Sequence, residues 1–148
     1  MMGCLVMGAV LLLGGCNDKA DIRQAYDFSL SSWYLQKSAK SGEEIEIRFY
    51  LDREGDFKDA TYQVGYIQLD GSGRVYNTDR RILTNREPYE LAEIPGLDVS
   101  NPLRLIFTLF YRPSTDKKSD LRFFVTDGFG QLREYDVSFN PDSSGDDK

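Results

Sequence analysis

Residues 44–52, Glu44-Ile45-Glu46-Ile47-Arg48-Phe49-Tyr50-Leu51-Asp52, decide the fold of this chain. Every second residue from Ile45 to Leu51 is apolar, so all four apolar side chains fall on one side of an extended strand. A period of two with a polar opposite side is typical of an antiparallel sheet that has one buried face and one face in water. The stretch therefore predicts a half-buried strand.

The same period recurs on both sides of this strand. Before it, Tyr26, Phe28 and Leu30 alternate with polar or small residues, and residues 37–42 form a turn-like break. After it, alternation predicts strands at residues 62–69, 74–83 (weaker), 103–111, 121–125 and 132–139. Glycine-rich turns, Asp70-Gly71-Ser72-Gly73 and Asp127-Gly128-Phe129-Gly130, separate several of them.

Two of these strands show a change in the apolar register. In the predicted strand at residues 62–69, the apolar positions move to Ile67 and Leu69, which predicts a bulge near Gly65 or Tyr66. In the last strand, the register is expected to change between Leu132 and Tyr135. Strand 103–111 carries apolar residues on both faces, which indicates a central or covered strand.

The strand pattern predicts an all-β fold. Pro88, Pro95 and Pro102 mark a long connection with room for one edge strand. Six or seven strands without an amphipathic helix favour a single antiparallel immunoglobulin-like β-sandwich of about seven strands, spanning residues 26–140. A small closed barrel is the alternative that the pattern leaves open.

The amino terminus has the pattern of a bacterial lipoprotein signal. Leu13-Gly14-Gly15-Cys16 follows a short apolar run and precedes polar residues. That run is too short to span a membrane, since a helix needs about 20 apolar residues. We predict a signal peptide at residues 1–15, lipidation of the Cys16 thiol, and a polar tether at residues 16–25. A non-lipidated secretory signal and a membrane anchor are the alternatives.

Composition excludes several functional classes. The 148 residues carry a formal net charge of -6, which disfavours binding to nucleic acid phosphates. Cys16 is the last cysteine, so the mature domain must be held by its core and not by a disulfide. The chain has no histidine, which removes histidine-dependent triads and most zinc sites. Residues 141–148 are predicted to be a disordered acidic tail.

Four acidic residues lie close together in one stretch: Asp52, Glu54, Asp56 and Asp59. The spacing of the first three imitates a calcium-binding loop. However, Phe57 stands where such a loop needs glycine, and Gln63 stands where it needs a glutamate. Arg53 and Lys58 also offset the charge, so we predict a solvated loop and no metal site.

No other motif points to catalysis. Surface carboxylates are abundant, but none is singled out as a glycosidase pair, so we predict no enzymatic activity, no cofactor and no small-molecule substrate. Four aromatic residues could form a platform for sugars or peptides, although half-buried sheet positions explain them better: Trp33, Tyr50, Tyr62 and Tyr66. Five basic residues are interpreted as turn and edge charges: Arg80, Arg81, Arg86, Lys117 and Lys118.

Four segments together resemble the conjugative transposon TraQ family, over residues 22–140. They are Asp21-Ile22-Arg23-Gln24-Ala25-Tyr26-Asp27-Phe28; Gly42-Glu43-Glu44-Ile45-Glu46-Ile47-Arg48; Leu51-Asp52-Arg53-Glu54-Gly55-Asp56-Phe57 with Ala60-Thr61-Tyr62; and Asp127-Gly128-Phe129-Gly130-Gln131 with the closing strand to Phe139.

The resemblance implies a non-enzymatic accessory lipoprotein of a conjugative transfer apparatus, with an immunoglobulin-like fold. Its expected partners are the membrane, through lipid on Cys16, and other conjugation proteins. The family supplies no catalytic residues. We expect attachment to the outer membrane, with the domain either periplasmic or on the surface. A surface adhesion or glycan-binding module is the alternative function.

Overall fold

A computed structural model describes residues 26–55 and 60–141, which form two β-sheets packed face to face. The predicted signal peptide, Cys16, the tether and residues 142–148 lie outside the described residues. Among the described residues, no helix has the length and apolar character needed to cross a membrane.

The structure contains eleven strands within this range. They are β1 (Phe28–Ser32), β2 (Ser38–Ala39), β3 (Ile45–Arg53), β4 (Tyr62–Asp70), β5 (Gly73–Tyr76), β6 (Ile82–Leu83), β7 (Tyr89–Glu90), β8 (Asp98–Asn101), β9 (Arg104–Pro113), β10 (Ser119–Asp127) and β11 (Leu132–Pro141). A short 3₁₀ helix, Leu91–Glu93, separates β7 from β8.

The pairing of the strands confirms the predicted β-sandwich. Sheet I has the order β1-β3-β9-β5-β6, with β8 also paired to β9, and sheet II has the order β2-β11-β10-β4-β7. All pairs are antiparallel except β2 with β11. Reading β1, β3 and β9 as strands A, B and E, and β4, β10 and β11 as C, F and G, reproduces the immunoglobulin arrangement. Strand β9 is central, as its two apolar faces indicated.

The core lies between the sheets and is centred on aromatic rings. Phe49 of β3 stacks on Phe107 of β9 at 5.0 Å between ring centroids. The same ring lies 4.8 Å from Phe123 of β10, in the opposite sheet. In antibody domains a disulfide joins the strands at the positions of β3 and β10. Here an aromatic contact makes the link between those two strands.

Of the two predicted register changes, the one in β4 occurs at a different position and the one in β11 is absent. In β4 the inward alternation continues through Tyr66, and the irregularity lies at Leu69, because Leu121 pairs with Gln68 and Asp120 pairs with Asp70. Strand β11 pairs with β10 without a break. Leu132 simply faces outward, being 48% exposed.

Short elements also differ from the expectation. Residues 74–83 are two strands, because Asn77 Oδ1 accepts hydrogen bonds from the backbone N–H of Asp79 and of Arg81 and fixes a turn between them. The break at residues 37–42 contains β2. Strand β11 extends to Pro141, one residue beyond the predicted domain boundary.

The open side between β1 and β11 is bridged by side chains. Arg133 Nε donates to the Phe28 carbonyl over 2.9 Å, and the hydroxyls of Ser32 and Tyr135 are 2.8 Å apart. Gln131 Nε2 donates to the carbonyl of Tyr26, where the described chain begins. Pro141 lies at the opposite end of the sandwich, beside Ala39. These bonds leave less of the β1 edge open for pairing with another chain.

Candidate docking surface

The outer faces of the two sheets differ in character. On sheet II, Arg122 is held by Asp136 through two hydrogen bonds of 2.8 and 3.1 Å, so its charge is locally matched. On sheet I, aromatic rings alternate with arginines. We call this surface the aromatic–arginine face; it comprises Trp33, Arg48, Tyr50, Arg74, Tyr76, Arg80, Ile82, Arg104, Phe110 and Arg112.

One half of the face is the Trp33 cluster, formed by Trp33, Arg48, Tyr50 and Arg104. Backbone pairing places the tryptophan, because its N–H donates to the Arg48 carbonyl over 2.9 Å just after β1 ends. Its ring meets the Tyr50 ring edge to face at 6.4 Å, and the residue is 60% exposed. The guanidinium of Arg48 lies 6.0 Å from the Trp33 ring, and that of Arg104 lies 4.4 Å from Tyr50.

The other half is the arginine cluster, formed by Arg74, Arg80 and Arg112 around Tyr76, Phe110 and Glu44. Tyr76 and Phe110 stack at 5.7 Å, and Arg80 lies over both rings at 5.2 and 5.6 Å. Arg112 lies 5.8 Å from the Tyr76 ring. Tyr76 is only 7% exposed although it lies outside the core between the sheets, because the arginines cover it.

Glu44 is the acceptor in the arginine cluster. Its Oε1 accepts hydrogen bonds from Arg80 Nη1 at 2.8 Å, Tyr76 hydroxyl at 2.8 Å and Arg112 Nη2 at 3.2 Å. The bond from Arg80, followed by that from Tyr76, holds the pKa of the Glu44 carboxyl below its ordinary value. The Glu44 carboxylate in turn raises the pKa of Arg80. Both shifts favour the charged forms, so the bond between Glu44 and Arg80 joins two charged groups.

This arrangement is suited to binding another protein. Tryptophan, tyrosine and arginine are the residue types that most often dominate the binding energy of protein interfaces. Cation–π contacts hold the guanidiniums in place before any partner arrives, which lowers the entropy cost of binding.

The structure separates the four aromatic residues that were weighed as a binding platform. Trp33 and Tyr50 are brought together on the aromatic–arginine face. Tyr62 and Tyr66 are buried between the sheets at 7% and 4% exposure, so they take no part in a surface platform and occupy sheet positions, as the preferred interpretation held, although more deeply buried than expected. They follow the inward alternation of β4.

The acidic stretch near Asp52 does not assemble into a metal site among the described residues. Asp52 is engaged by Arg104, whose Nε and Nη2 donate to its two oxygens over 2.7 and 3.2 Å. Asp56, Phe57, Lys58 and Asp59 lie outside the described residues. Within residues 26–55 and 60–141, no group of three acidic side chains could hold a metal ion.

Two clefts flank the long connection between β6 and β9. The larger, of about 320 Å³, is mainly apolar and is lined by Arg53, Ala60, Thr61, Tyr62, Glu90, Leu91, Ala92, Leu97, Val99, Pro102 and Leu105. The smaller, of about 220 Å³, includes Asp79, Glu90 and Glu93, all exposed. A catalytic carboxylic acid usually lies in a site withdrawn from water, whereas these three side chains are open to solvent.

Sequence reasoning missed the arginine cluster. It treated Arg80 as an ordinary turn charge, whereas Arg80 bonds Glu44, which lies 36 residues earlier in the chain. Such a contact depends on which strands become neighbours, so no local spacing signals it. The alternation of apolar residues around Arg112 and Arg74 could have placed each side chain on an outer face. It could not have shown that the two arginines are neighbours.

Fold and surface together define an immunoglobulin-like β-sandwich with an exposed aromatic–arginine face. Residues 1–142 match the family described as TraQ conjugal transfer protein. The chain belongs to the TraQ conjugal transfer protein family, which confirms the resemblance found in the sequence. A comparison with curated proteins gave no match.

Solved structures agree with this membership. A lipoprotein from Bacteroides thetaiotaomicron is 32% identical, with a TM-score of 0.62 over 89% of this chain and 93% of that chain. A conjugative transposon lipoprotein from Bacteroides eggerthii is 25% identical, with a TM-score of 0.64 over 78% and 99%. A conjugate transposon protein from Bacteroides vulgatus is 25% identical, with a TM-score of 0.62 over 84% and 93%.

Proposed function

We propose that this protein is a lipid-anchored, non-enzymatic accessory component of a conjugative transfer apparatus, and that it binds other proteins of that apparatus through its aromatic–arginine face. The observation that carries the proposal is the exposed Trp33 cluster on a member of a conjugal transfer family. Its composition is that of an interface hot spot.

The proposed anchor is a lipid on Cys16. Two solved relatives are named lipoproteins, which supports this assignment. Two or three acyl chains give stable attachment where one does not. The proposed tether, residues 16–25, reaches at most roughly 35 Å when extended. We place the anchor in the outer membrane; protease treatment of intact cells distinguishes a surface domain from a periplasmic one.

The absence of enzymatic activity is part of the proposal. It is supported by the exposed carboxyls of the smaller cleft and by the mainly apolar lining of the larger one. A purified protein that hydrolysed glycan or peptide substrates would contradict it.

The docking role is tested by the frequency of conjugative transfer. A Trp33→Ala, Tyr50→Ala double variant removes one exposed and one half-buried ring from the outer face of sheet I and leaves the core between the sheets intact, so we expect normal protein levels and a lower transfer frequency. Leu132→Ala is the matched control, because it removes an exposed apolar side chain from the other sheet. Transfer at the wild-type frequency in the double variant would overturn the docking role.

Site-specific photocrosslinking in donor cells identifies the partner directly. A crosslinker at position 33 should trap a protein encoded with the transfer genes, whereas the same group at position 132 should not. If positions 33 and 132 gave the same crosslinked proteins, the aromatic–arginine face would not be a specific binding surface.

Lipidation is tested by labelling with radioactive palmitate. We expect label in the wild-type protein and none in Cys16→Ser. An unlabelled wild-type protein would overturn the proposed anchor without affecting the docking role.

Glycan binding is the second candidate, and the exposure of Trp33 is the observation in its favour. Stacking of a sugar needs a free ring face, however, and Arg104 covers a face of Tyr50. A protein partner therefore fits the surface better. A glycan array with hits that depend on Trp33 would reverse this preference.

A further inference from the structure

The arginine cluster carries more positive charge than its own acidic partner neutralises. The guanidiniums of Arg80 and Arg112 both pair with the carboxylate of Glu44, and Arg74 lines the same cleft, in a chain whose formal net charge is -6. Together with Tyr76 and Ile82, these arginines line a cleft of about 300 Å³. A local cationic cleft on an acidic protein is a feature that needs a physical explanation.

Arg74 is the clearest sign that the cluster is incomplete. It stands directly opposite Arg112 in the β5–β9 pair. Like charges at directly opposed positions of an antiparallel pair are destabilising. Within residues 26–55 and 60–141, the Arg74 side chain makes no hydrogen bond or ion pair, and it is exposed. A carboxylate between these two guanidiniums would convert the repulsion into two attractions.

The other two arginines keep donors available. A guanidinium has five N–H donors. Towards the described residues, Arg80 donates from Nη1 and Arg112 from Nη2. Their side chains are 61% and 49% exposed, so their remaining donors are accessible from solvent.

The backbone is set to present Arg80 at this position. Arg80 has a φ of +68°, in the left-handed region that residues other than glycine seldom adopt. The turn around Asn77 holds it there, because the Arg80 N–H donates to the Asn77 carbonyl over 3.0 Å. Strained backbone of this kind often occurs at functional positions.

We propose that the arginine cluster binds an acidic segment of a partner protein. A carboxylate of that segment bridges Arg74 and Arg112, and an adjacent apolar side chain packs on Ile82, which is 53% exposed beside the cleft. The identification of that partner as part of the transfer apparatus rests on the proposed function, whereas the recognition of acidic peptide does not. A nucleic acid fits less well, because the acidic remainder of the protein repels a long polyanion.

The test uses the full-length protein in detergent and a fluorescein-labelled peptide of sequence Asp-Leu-Glu-Leu-Asp-Glu. Its amide counterpart, Asn-Leu-Gln-Leu-Asn-Gln, is the control ligand. Fluorescence anisotropy should detect binding of the acidic peptide, with the amide peptide weaker by about tenfold or more. Added salt should weaken binding of the acidic peptide, because the contacts are exposed and charged.

Arg74→Gln is the informative variant, because its side chain supports no bond within the described residues and its loss should leave the fold intact. We expect about tenfold weaker binding of the acidic peptide. Arg122→Gln, on the outer face of sheet II, is the matched control and should bind as the wild type does.

The proposal would be overturned by equal affinity for both peptides, by unchanged affinity in Arg74→Gln, or by binding of the acidic peptide only after removal of residues 142–148. The last result would assign the cluster to the acidic tail of this chain. Displacement of the peptide by single-stranded DNA in preference to acidic protein would also overturn it. If the acidic peptide binds but the Trp33→Ala, Tyr50→Ala variant transfers at the wild-type frequency, the proposed function is wrong and the recognition of acidic peptide still holds.

Discussion

At the scale of single residues, Glu44 shows how one side chain can organise a surface. Three donors from β5, β9 and the turn after β5 meet at one of its oxygens. Their effect is to stabilise the charged carboxylate, which lowers its pKa in the folded protein relative to the unfolded chain.

The lowered pKa of Glu44 predicts a pH-dependent stability. A depressed folded-state pKa contributes stability that is fully present above the unfolded pKa and is lost as the pH falls through the folded pKa. Glu44→Gln should therefore have a lower Tm than the wild type at neutral pH, and the difference should shrink in acid. Thermal unfolding followed by circular dichroism across a pH series measures this.

The control for this experiment is Glu46→Gln, on the same outer face. Within the part of the chain that the structure describes, the Glu46 carboxyl makes no hydrogen bond or ion pair. The Tm of the Glu46→Gln variant should equal that of the wild type at every pH. A Glu44→Gln difference that stayed constant into acid would show that the bonds at Glu44 do not depend on its charge.

At the scale of strands, β4 and β10 pack closely at one glycine. A Cβ on Gly65 would lie 2.8 Å from the Glu87 carbonyl oxygen and would clash with the Phe124 ring. Gly65→Ala should therefore destabilise the protein by about 1–3 kcal/mol, because the backbone cannot move aside cheaply. Urea denaturation gives the change in unfolding free energy.

Gly55→Ala is the matched control, since its Cβ would meet the Tyr26 ring at an ordinary contact distance of 3.5 Å. We expect a change within about 0.5 kcal/mol for this control. Equal effects at the two glycines would mean that the close approach of Phe124 and Glu87 to Gly65 has no energetic consequence.

Alternation predicted the long strands because it is a local property. Strands β3, β9 and β10 each bury one face along nearly their whole length, and that pattern is visible in the sequence. Strands β2 and β6 span two residues each and exist only because a neighbouring strand pairs with them. The bulge was misplaced because Ile67 and Leu69 are apolar without being buried.

At the scale of the whole molecule, the two sheets are held together by packing, with Phe49 at the centre. The ring contacts Phe107 in its own sheet and Phe123 in the other. The sequence predicted that a core would replace disulfides, but it could not identify the rings that meet across the sheets. The choice between sandwich and barrel likewise depended on which strand edges pair, and alternation does not encode that.

Phe49→Ala should weaken the whole sandwich. Removing a fully buried ring that joins two sheets costs about 3–5 kcal/mol of unfolding free energy. Equilibrium urea unfolding measures the loss, and Phe49→Leu should recover part of it. A loss below about 1 kcal/mol in Phe49→Ala would show that the sheets are joined mainly by other contacts.

The aromatic–arginine face runs along β3, from Asp52 near one end of the strand to Glu44 just before the other end. Asp52 anchors Arg104 at one end, and Glu44 anchors the arginine cluster at the other. Extended backbone between them covers roughly 25 Å, at about 3.3 Å per residue. A single partner that touches both ends must therefore span this distance, which takes an extended segment of about eight residues, at about 3.3 Å per residue, or a helix of about 17 residues, at about 1.5 Å of rise per residue. This footprint sets a minimum size for any binder that uses the full length of the sheet.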